Sequence, residues 1–468
     1  MLFRENYFII FVQTYIMKYR SILSVLAFTA LSISAQAQLQ DITTIAGHSD
    51  AGYGGDGGSA VAALLNAPLG VAADGNGNVY IADTKNNRIR KVNVVNAEGA
   101  IITTYAGSGT QGNSGDGSTA LSANIMPSGI AIDKAGNVYI SDAGDGVVRK
   151  VNTSQIISTV AGTGTFGHTG DGGAATAARL GAPYGLAIDK KGNLYIADAG
   201  AHVVRMVDTA GIISTIAGVD TAGYTGDGGL ASLARLDSPY SVAVDPAGNV
   251  FISDFYNNVI RRVDAEAGII STYAGTYGVY NYSGDGGAAT SASLNNPRGI
   301  CVDTFGNLFI ADAENNVIRK VTTDGNISTV VGNGSLGFGG DGSYAIGANL
   351  HNPYGVSVDQ YGTIYVADAN NQRVRMSYNP KLAVTNVTKG STINVYPNPA
   401  TDAVTIVGLA NGDKVTVYDV AGRSVITPLI ASGSKSAVDV STLVPGVYTM
   451  QVTGANGQNK SAIKITKE

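Results

Sequence analysis

Through the middle of the chain, apolar and polar residues alternate in runs of four to six, separated by glycine, aspartate and asparagine. One stretch reads Leu186 to Asp189, Asn193 to Ala197, His202 to Val207 and Ile212 to Ala217. Period-two alternation sends successive side chains to opposite faces, so each run predicts a short strand with one face buried. The set then recurs. Gly-Asp-Gly returns with its carboxylate at Asp56, Asp116, Asp171, Asp227, Asp285 and Asp341, at spacings of 60, 55, 56, 58 and 56 residues. A proline follows in each unit (Pro68, Pro127, Pro183, Pro239, Pro297, Pro353), and then an Asp-x-x-Gly-Asn or Asp-x-x-Gly-Thr turn. Four strands per repeat make one propeller blade, so six copies predict an all-β, six-bladed propeller over residues 38–378. A fourth-strand run also precedes the first unit as Ile42 to Gly47, while the sixth unit breaks off after Arg375-Met376 without one. The amino-terminal strand is therefore expected to complete the last blade and close the ring.

The repeated residues resemble NHL repeats: Asn295-Asn296-Pro297-Arg298-Gly299-Ile300, Gly306-Asn307-Leu308-Phe309-Ile310-Ala311-Asp312 and Asn315-Asn316-Val317-Ile318-Arg319-Lys320-Val321. The Gly-rich connection before each proline is longer than in NHL units and is expected to build up one face of the ring. Residues common to all six units read as architecture. The second strand ends in Asp83, Asp142, Asp198, Asp254, Asp312 and Asp368, each followed seven residues later by Arg90, Arg149, Arg205, Arg261, Arg319 and Arg375. Alternation puts each arginine among valines and isoleucines, where burial is costly without a partner, so the aspartate across the hairpin is the expected one. The Gly-Asp-Gly carboxylates offer the oxygen chemistry of calcium, but without the Asp-x-Asp-x-Asp density of a calcium loop they read as bonding their own turns.

Chemistry is expected where the units differ. The residue after each proline, near the mouth of the central channel, is Leu69, Ser128, Tyr184, Tyr240, Arg298 and Tyr354. Tyr184, Tyr240, Arg298 and Tyr354 are the candidate ligand-binding residues, an aromatic and hydrogen-bonding floor for a glycan or an extended peptide. The same loops add Tyr53, Phe166, Tyr224, Tyr280, Tyr282 and Phe338. His168, His202 and His351 are the candidate ligands should a zinc be bound; such a site needs about three converging groups, and some NHL-type lyases carry channel histidines. No Gly-x-Ser-x-Gly elbow or phosphate-binding loop is found. Three readings stay open: non-catalytic binding on the loop face, a metal-assisted lyase or hydrolase at the channel, and surface adhesion without a defined pocket.

The 468 residues carry 30 Lys and Arg against 35 Asp and Glu, a net charge of −5, with 62 glycines and one cysteine, Cys301. An acidic chain without a basic face is a poor nucleic-acid binder, and one cysteine allows no internal disulfide. Lys18-Tyr19-Arg20, an apolar run from Ile22 to Ile33 and Ala35-Gln36-Ala37 make a secretory signal peptide, with Met17 the expected start and cleavage after Ala37. No other segment approaches a membrane span. Beyond a linker at 379–391, residues 392–468 predict a small antiparallel β-sandwich. Its Tyr396-Pro397-Asn398-Pro399-Ala400 start, Tyr418-Asp419-Val420-Ala421-Gly422-Arg423 centre and Pro445-Gly446-Val447-Tyr448 close resemble the type A sorting domain of the type IX secretion system. That resemblance implies handling by the type IX machinery and a secreted or surface-attached product; a monomer is expected.

Overall fold

The structure, a computed structural model, describes residues 41–74, 76–93, 100–378, 393–396, 400–419, 424–444, 446–455 and 459–467. The leader, Met17, the linker and, within the sorting motifs, residues 397–399, 420–423 and 445 lie outside the described residues.

Six antiparallel sheets follow one another along the chain. The first is built from β2 (Pro68–Ala73), β3 (Asn78–Asp83), β4 (Arg88–Asn93) and β5 (Ile102–Ala106), hydrogen-bonded in that order. The next four blades repeat the order. The sixth has only three main strands of its own, Pro353–Val358, Ile364–Asp368 and Arg373–Tyr378, and β1 (Asp41–Ala46) supplies the fourth, with Asp41 opposite Tyr378 and Thr44 opposite Arg375. The innermost strand of each blade contacts those of the blades on either side, from the sixth back round to the first. Adjacent inner strands lie so close that a Cβ on Gly299 would stand 2.6 Å from the carbonyl oxygen of Tyr354, so glycine at that place, two residues after Pro297, is a spacing requirement.

Valine, isoleucine and leucine fill the seams between blades. Between blades 2 and 3, for example, Val148, Leu180, Leu186, Ile196 and Ile213 are buried together, at roughly 1.5–3 kcal/mol for each such side chain. The Gly-rich loops take part in this packing. A three-residue 3-10 helix in each, such as Ala175–Ala177, places one small alanine in the seam. The second domain is two antiparallel sheets, Asn394–Tyr396, Ala403–Val407 and Lys435–Asp439 in one, and Leu429–Ile430, Lys414–Tyr418, Gly446–Thr453 and Asn459–Lys467 in the other, sharing an apolar core that includes Val404, Ile406, Val417 and Met450. Among the described residues no helix is long and apolar enough to cross a membrane.

Candidate functional site

All six repeat arginines are fully buried. Each reaches upward to the Gly-Asp-Gly loop, 34 residues earlier in most blades, and not only across its hairpin. Arg90 donates to Asp56 Oδ1 at 2.5 Å, Arg149 to Asp116 at 2.6 Å and Arg319 to Asp285 at 2.7 Å; Arg205, Arg261 and Arg375 do the same to Asp171, Asp227 and Asp341. The remaining N–H groups bond loop carbonyls, as Arg90 does to Leu64 and Gly54 at 3.1 Å each. The second loop-carboxylate oxygen accepts from a threonine of the outermost strand: Thr104 Oγ1 at 2.6 Å for Asp56, and Thr44 of β1 at 2.7 Å for Asp341. These carboxylates therefore bind arginine and threonine, which corrects the expectation that they close only their own turns. Partial burial opposes ionisation of Asp56, but the Thr104 hydroxyl and the Arg90 guanidinium outweigh it and hold the carboxyl below the usual range.

The hairpin aspartates divide into two classes. In blades 1, 4, 5 and 6 the expected pair forms: Asp83–Arg90 at 3.2 Å, Asp254–Arg261 at 3.5 Å, Asp312–Arg319 at 3.3 Å and Asp368–Arg375 at 3.5 Å. In blades 2 and 3 it does not: Asp142 and Asp198 stay buried but outside ion-pair distance of Arg149 and Arg205. The reason lies three residues after each aspartate. Asn86, Asn315 and Asn371 donate to the aspartate Oδ2 at 2.8–2.9 Å and turn it towards its arginine, and Asn257 occupies the same place in blade 4. Blades 2 and 3 have Asp145 and Ala201 there. Without that bond the carboxylate turns to the backbone before the proline, where Met126 N–H reaches Asp142 at 3.0 Å and Ala182 N–H reaches Asp198 at 2.7 Å.

In the other four blades the residue before the proline is left-handed, Ala67 at φ 50°, Ser238 at 51°, Asn296 at 52° and Asn352 at 54°. Its N–H is taken by a side chain of the preceding blade: Gln372, His202, Asn258 and Asn316 at 2.7–3.0 Å. His202 is thus a blade-to-blade latch at an Asn/Gln position. His168 stands three residues before Asp171, where blades 1, 4, 5 and 6 have Tyr53, Tyr224, Tyr282 and Phe338. Its Nε2 meets Thr215 Oγ1 at 3.0 Å, as the Tyr224 and Tyr282 hydroxyls meet Thr272 and Thr329 at 2.6 and 2.8 Å. His351 precedes Asn352 and gives its backbone N–H to Asp368 at 2.8 Å. The three histidines, candidates for a zinc should one be bound, belong to three different repeat positions. Among the described residues no three His, Cys, Asp or Glu side chains are placed to share a metal ion.

The four aromatics at the His168 position lie over buried arginines. The Arg90, Arg261, Arg319 and Arg375 guanidinium carbons sit 4.9–5.0 Å above the Tyr53, Tyr224, Tyr282 and Phe338 ring centres. They are lids on the arginines and not part of the channel floor, and Tyr224 also stacks on Tyr277 at 4.1 Å.

The candidate ligand-binding residues do meet. Tyr184 and Tyr240 stack at 4.7 Å, Tyr354 stands edge-on to Tyr240 at 6.1 Å, and Arg298 lies over Tyr354 at 3.8 Å and Tyr240 at 5.3 Å. All four are partly buried. Sequence reasoning missed two members. Phe255 packs against Tyr240 and Arg298, and its neighbour Tyr256 is exposed beside it. The signal was there, since blade 4 has Phe-Tyr after its second-strand aspartate where the other blades have Thr-Lys, Ala-Gly, Ala-Glu or Ala-Asn. Tyr184, Tyr240 and Tyr354 line, with the inner strands, a cavity of about 60 Å³, room for a few water molecules. Burial pushes the Tyr240 hydroxyl up despite the opposing Arg298 charge, so it stays a donor at neutral pH.

Residues 106–167, 164–224 and 279–339 match the Teneurin NHL domain family, and residues 65–92 match the NHL repeat family. The ring is an NHL-repeat propeller. Residues 394–467 match the Secretion system C-terminal sorting domain. A type IX domain of this kind directs export across the outer membrane, so the NHL propeller is secreted or held at the cell surface. Teneurin-1 of Mus musculus is 31% identical over 278 residues, 51% of this chain, and Teneurin-4 of Mus musculus 33% identical over 279 residues, 52% of this chain. The chain spans about a tenth (10%) of the length of these curated relatives. Among solved structures, a protein of unknown function from Bacteroides thetaiotaomicron superposes with a TM-score of 0.54 at 18% identity, and an auxiliary nutrient binding protein from the same organism with 0.52 at 14%. Both alignments cover 72% of this chain and 76% of the other, and at these identities the likeness is one of fold.

Proposed function

We propose that the exported NHL propeller captures an extracellular glycan or peptide on its loop face, at the channel mouth, without covalent chemistry. One observation carries this reading: Tyr184, Tyr240, Arg298 and Tyr354, from four successive blades, gather at the position where the repeats stop being alike. Architecture needs the same residue in every blade, and here it does not get one. Three phenol rings and a guanidinium present flat apolar faces together with hydrogen-bond donors, the combination used to hold polar ligands of defined shape. A rigid ring keeps these groups in place before a ligand arrives, which limits the entropy lost on binding.

The test is capture of the full chain by an immobilised panel of glycans and peptides. The triple variant Tyr184→Ala, Tyr240→Ala, Tyr354→Ala should lose roughly tenfold or more in affinity for whichever panel member is bound. Capture unchanged by all three substitutions would overturn the reading.

A further inference from the structure

Arg298 differs from the six repeat arginines at the core of this propeller. The six repeat arginines each hold at least one carboxylate, whereas among the described residues none lies within ion-pair distance of Arg298. Its plane lies between Tyr354, Tyr240 and Phe255. Glu314, on a hairpin of the same blade, is committed to Asn352 at 2.9 Å. A guanidinium with no carboxylate of its own beside it is ready for an anion from outside. Two further arginines without ion-pair partners, Arg179 and Arg235, stand exposed on the loops of blades 3 and 4.

The cavity that Tyr184, Tyr240 and Tyr354 line next to Arg298, about 60 Å³, is too small for a sugar ring or for an amino-acid side chain with its backbone. The body of the ligand must then lie above, where exposed Tyr256 extends the aromatic surface outward from Phe255. Flat rings with hydroxyl groups suit the faces and hydroxyls of pyranose units. Capture of a peptide by its main chain would use a free strand edge, and the mouth presents side chains.

We infer that the channel mouth binds an acidic glycan, with the carboxylate of a uronic acid held by the Arg298 fork between Tyr354 and Tyr240 and the neighbouring sugars lying across Tyr256. This rests on the binding function proposed above and names its ligand class.

The experiment is calorimetric titration of the full chain with an oligogalacturonate, its neutral galactan counterpart and a Glu-rich peptide, for wild type, Arg298→Gln, Arg298→Lys and Tyr256→Ala. The oligogalacturonate should bind roughly ten- to a hundredfold more tightly than the neutral oligomer, a margin that Arg298→Gln removes and Arg298→Lys keeps in part. Affinity should fall with added salt. Tyr256→Ala, an exposed position where misfolding is no concern, should weaken uronate binding several-fold. Equal binding of charged and neutral oligomers, or an unchanged affinity in Arg298→Gln, overturns the carboxylate assignment while leaving loop-face binding standing. Preference for the peptide through Arg298 overturns the glycan class. If no member of this set or of the wider panel binds, the parent reading falls as well.

Discussion

Blades 2 and 3 carry the same landmarks as the other four, yet they hold their loops by a different set of bonds. In blades 1, 4, 5 and 6 the hairpin aspartate serves an arginine, an asparagine and one backbone N–H, and the N–H before the proline goes to the preceding blade. In blades 2 and 3 the aspartate serves the backbone alone, and the arginine is left to the Gly-Asp-Gly carboxylate and the loop carbonyls. Asn three positions after the aspartate goes with the first arrangement and is missing from the second, and blade 3 also faces Gly146 where the other latches have a side-chain acceptor. The lesson is that a repeat residue has no fixed partner: its bonds are set by which neighbours compete for it.

The comparison can be broken most sharply at the arginines. Arg319→Met would strand Asp312, fully buried, as well as Asp285, and should cost about 3–5 kcal/mol in urea unfolding of the full chain. Arg205→Met strands only the half-exposed Asp171, because Asp198 already has its backbone donors, and should cost clearly less. Equal losses would remove the distinction between the classes.

A smaller and opposite effect is expected in blade 2, where Asp145 puts a second carboxylate where the other class has Asn. Burial, reinforced by Asp145, pushes the Asp142 carboxyl up to about 7, and Asp142 Oδ1 and Asp145 Oδ2 are buried without partners. The folded-state value lies above the unfolded one. The stability tied to this group is therefore complete below the ordinary carboxylate range and is lost as pH rises through about 7. Asp145→Asn should stabilise by about 1 kcal/mol or more at pH 8 and by little at pH 5. A gain that is flat with pH would contradict the account.

The least expensive change is at the latch. His202→Ala leaves the left-handed Ser238 N–H without its acceptor and should cost about 1 kcal/mol, while His202→Asn, the residue at this position in blades 4 and 5, should restore the loss. Wild-type stability in the alanine variant, by the same unfolding measurement, would show the latch to be idle.

The blades, their order and the closing strand were legible because they rest on local periodicity and on counting. The meeting of Tyr184, Tyr240, Arg298 and Tyr354 was legible for a related reason: a ring brings equivalent positions together, so one offset from each proline is one place in space. Hydrogen-bond partners were not legible. Asp56 lies in a glycine-rich loop that folds back over its own blade, and strand alternation sees across a hairpin but not from a loop 34 residues away. Nor do the histidines declare their roles one at a time. His168 reads as an aromatic lid and His202 as an Asn-like acceptor only when the blades are laid over one another, because what each site requires is a ring or an acceptor and not an imidazole.

The pairing of Asp41 with Tyr378 has a consequence in time. Five blades can assemble from neighbouring sequence as soon as it is available, but the sixth needs strands from opposite ends of the propeller, so the ring has no closed state until its last residues arrive. Until then Asp41–Ala46 waits without the Arg373–Tyr378 strand it pairs with, and the slowest and most aggregation-exposed step of folding is the final one.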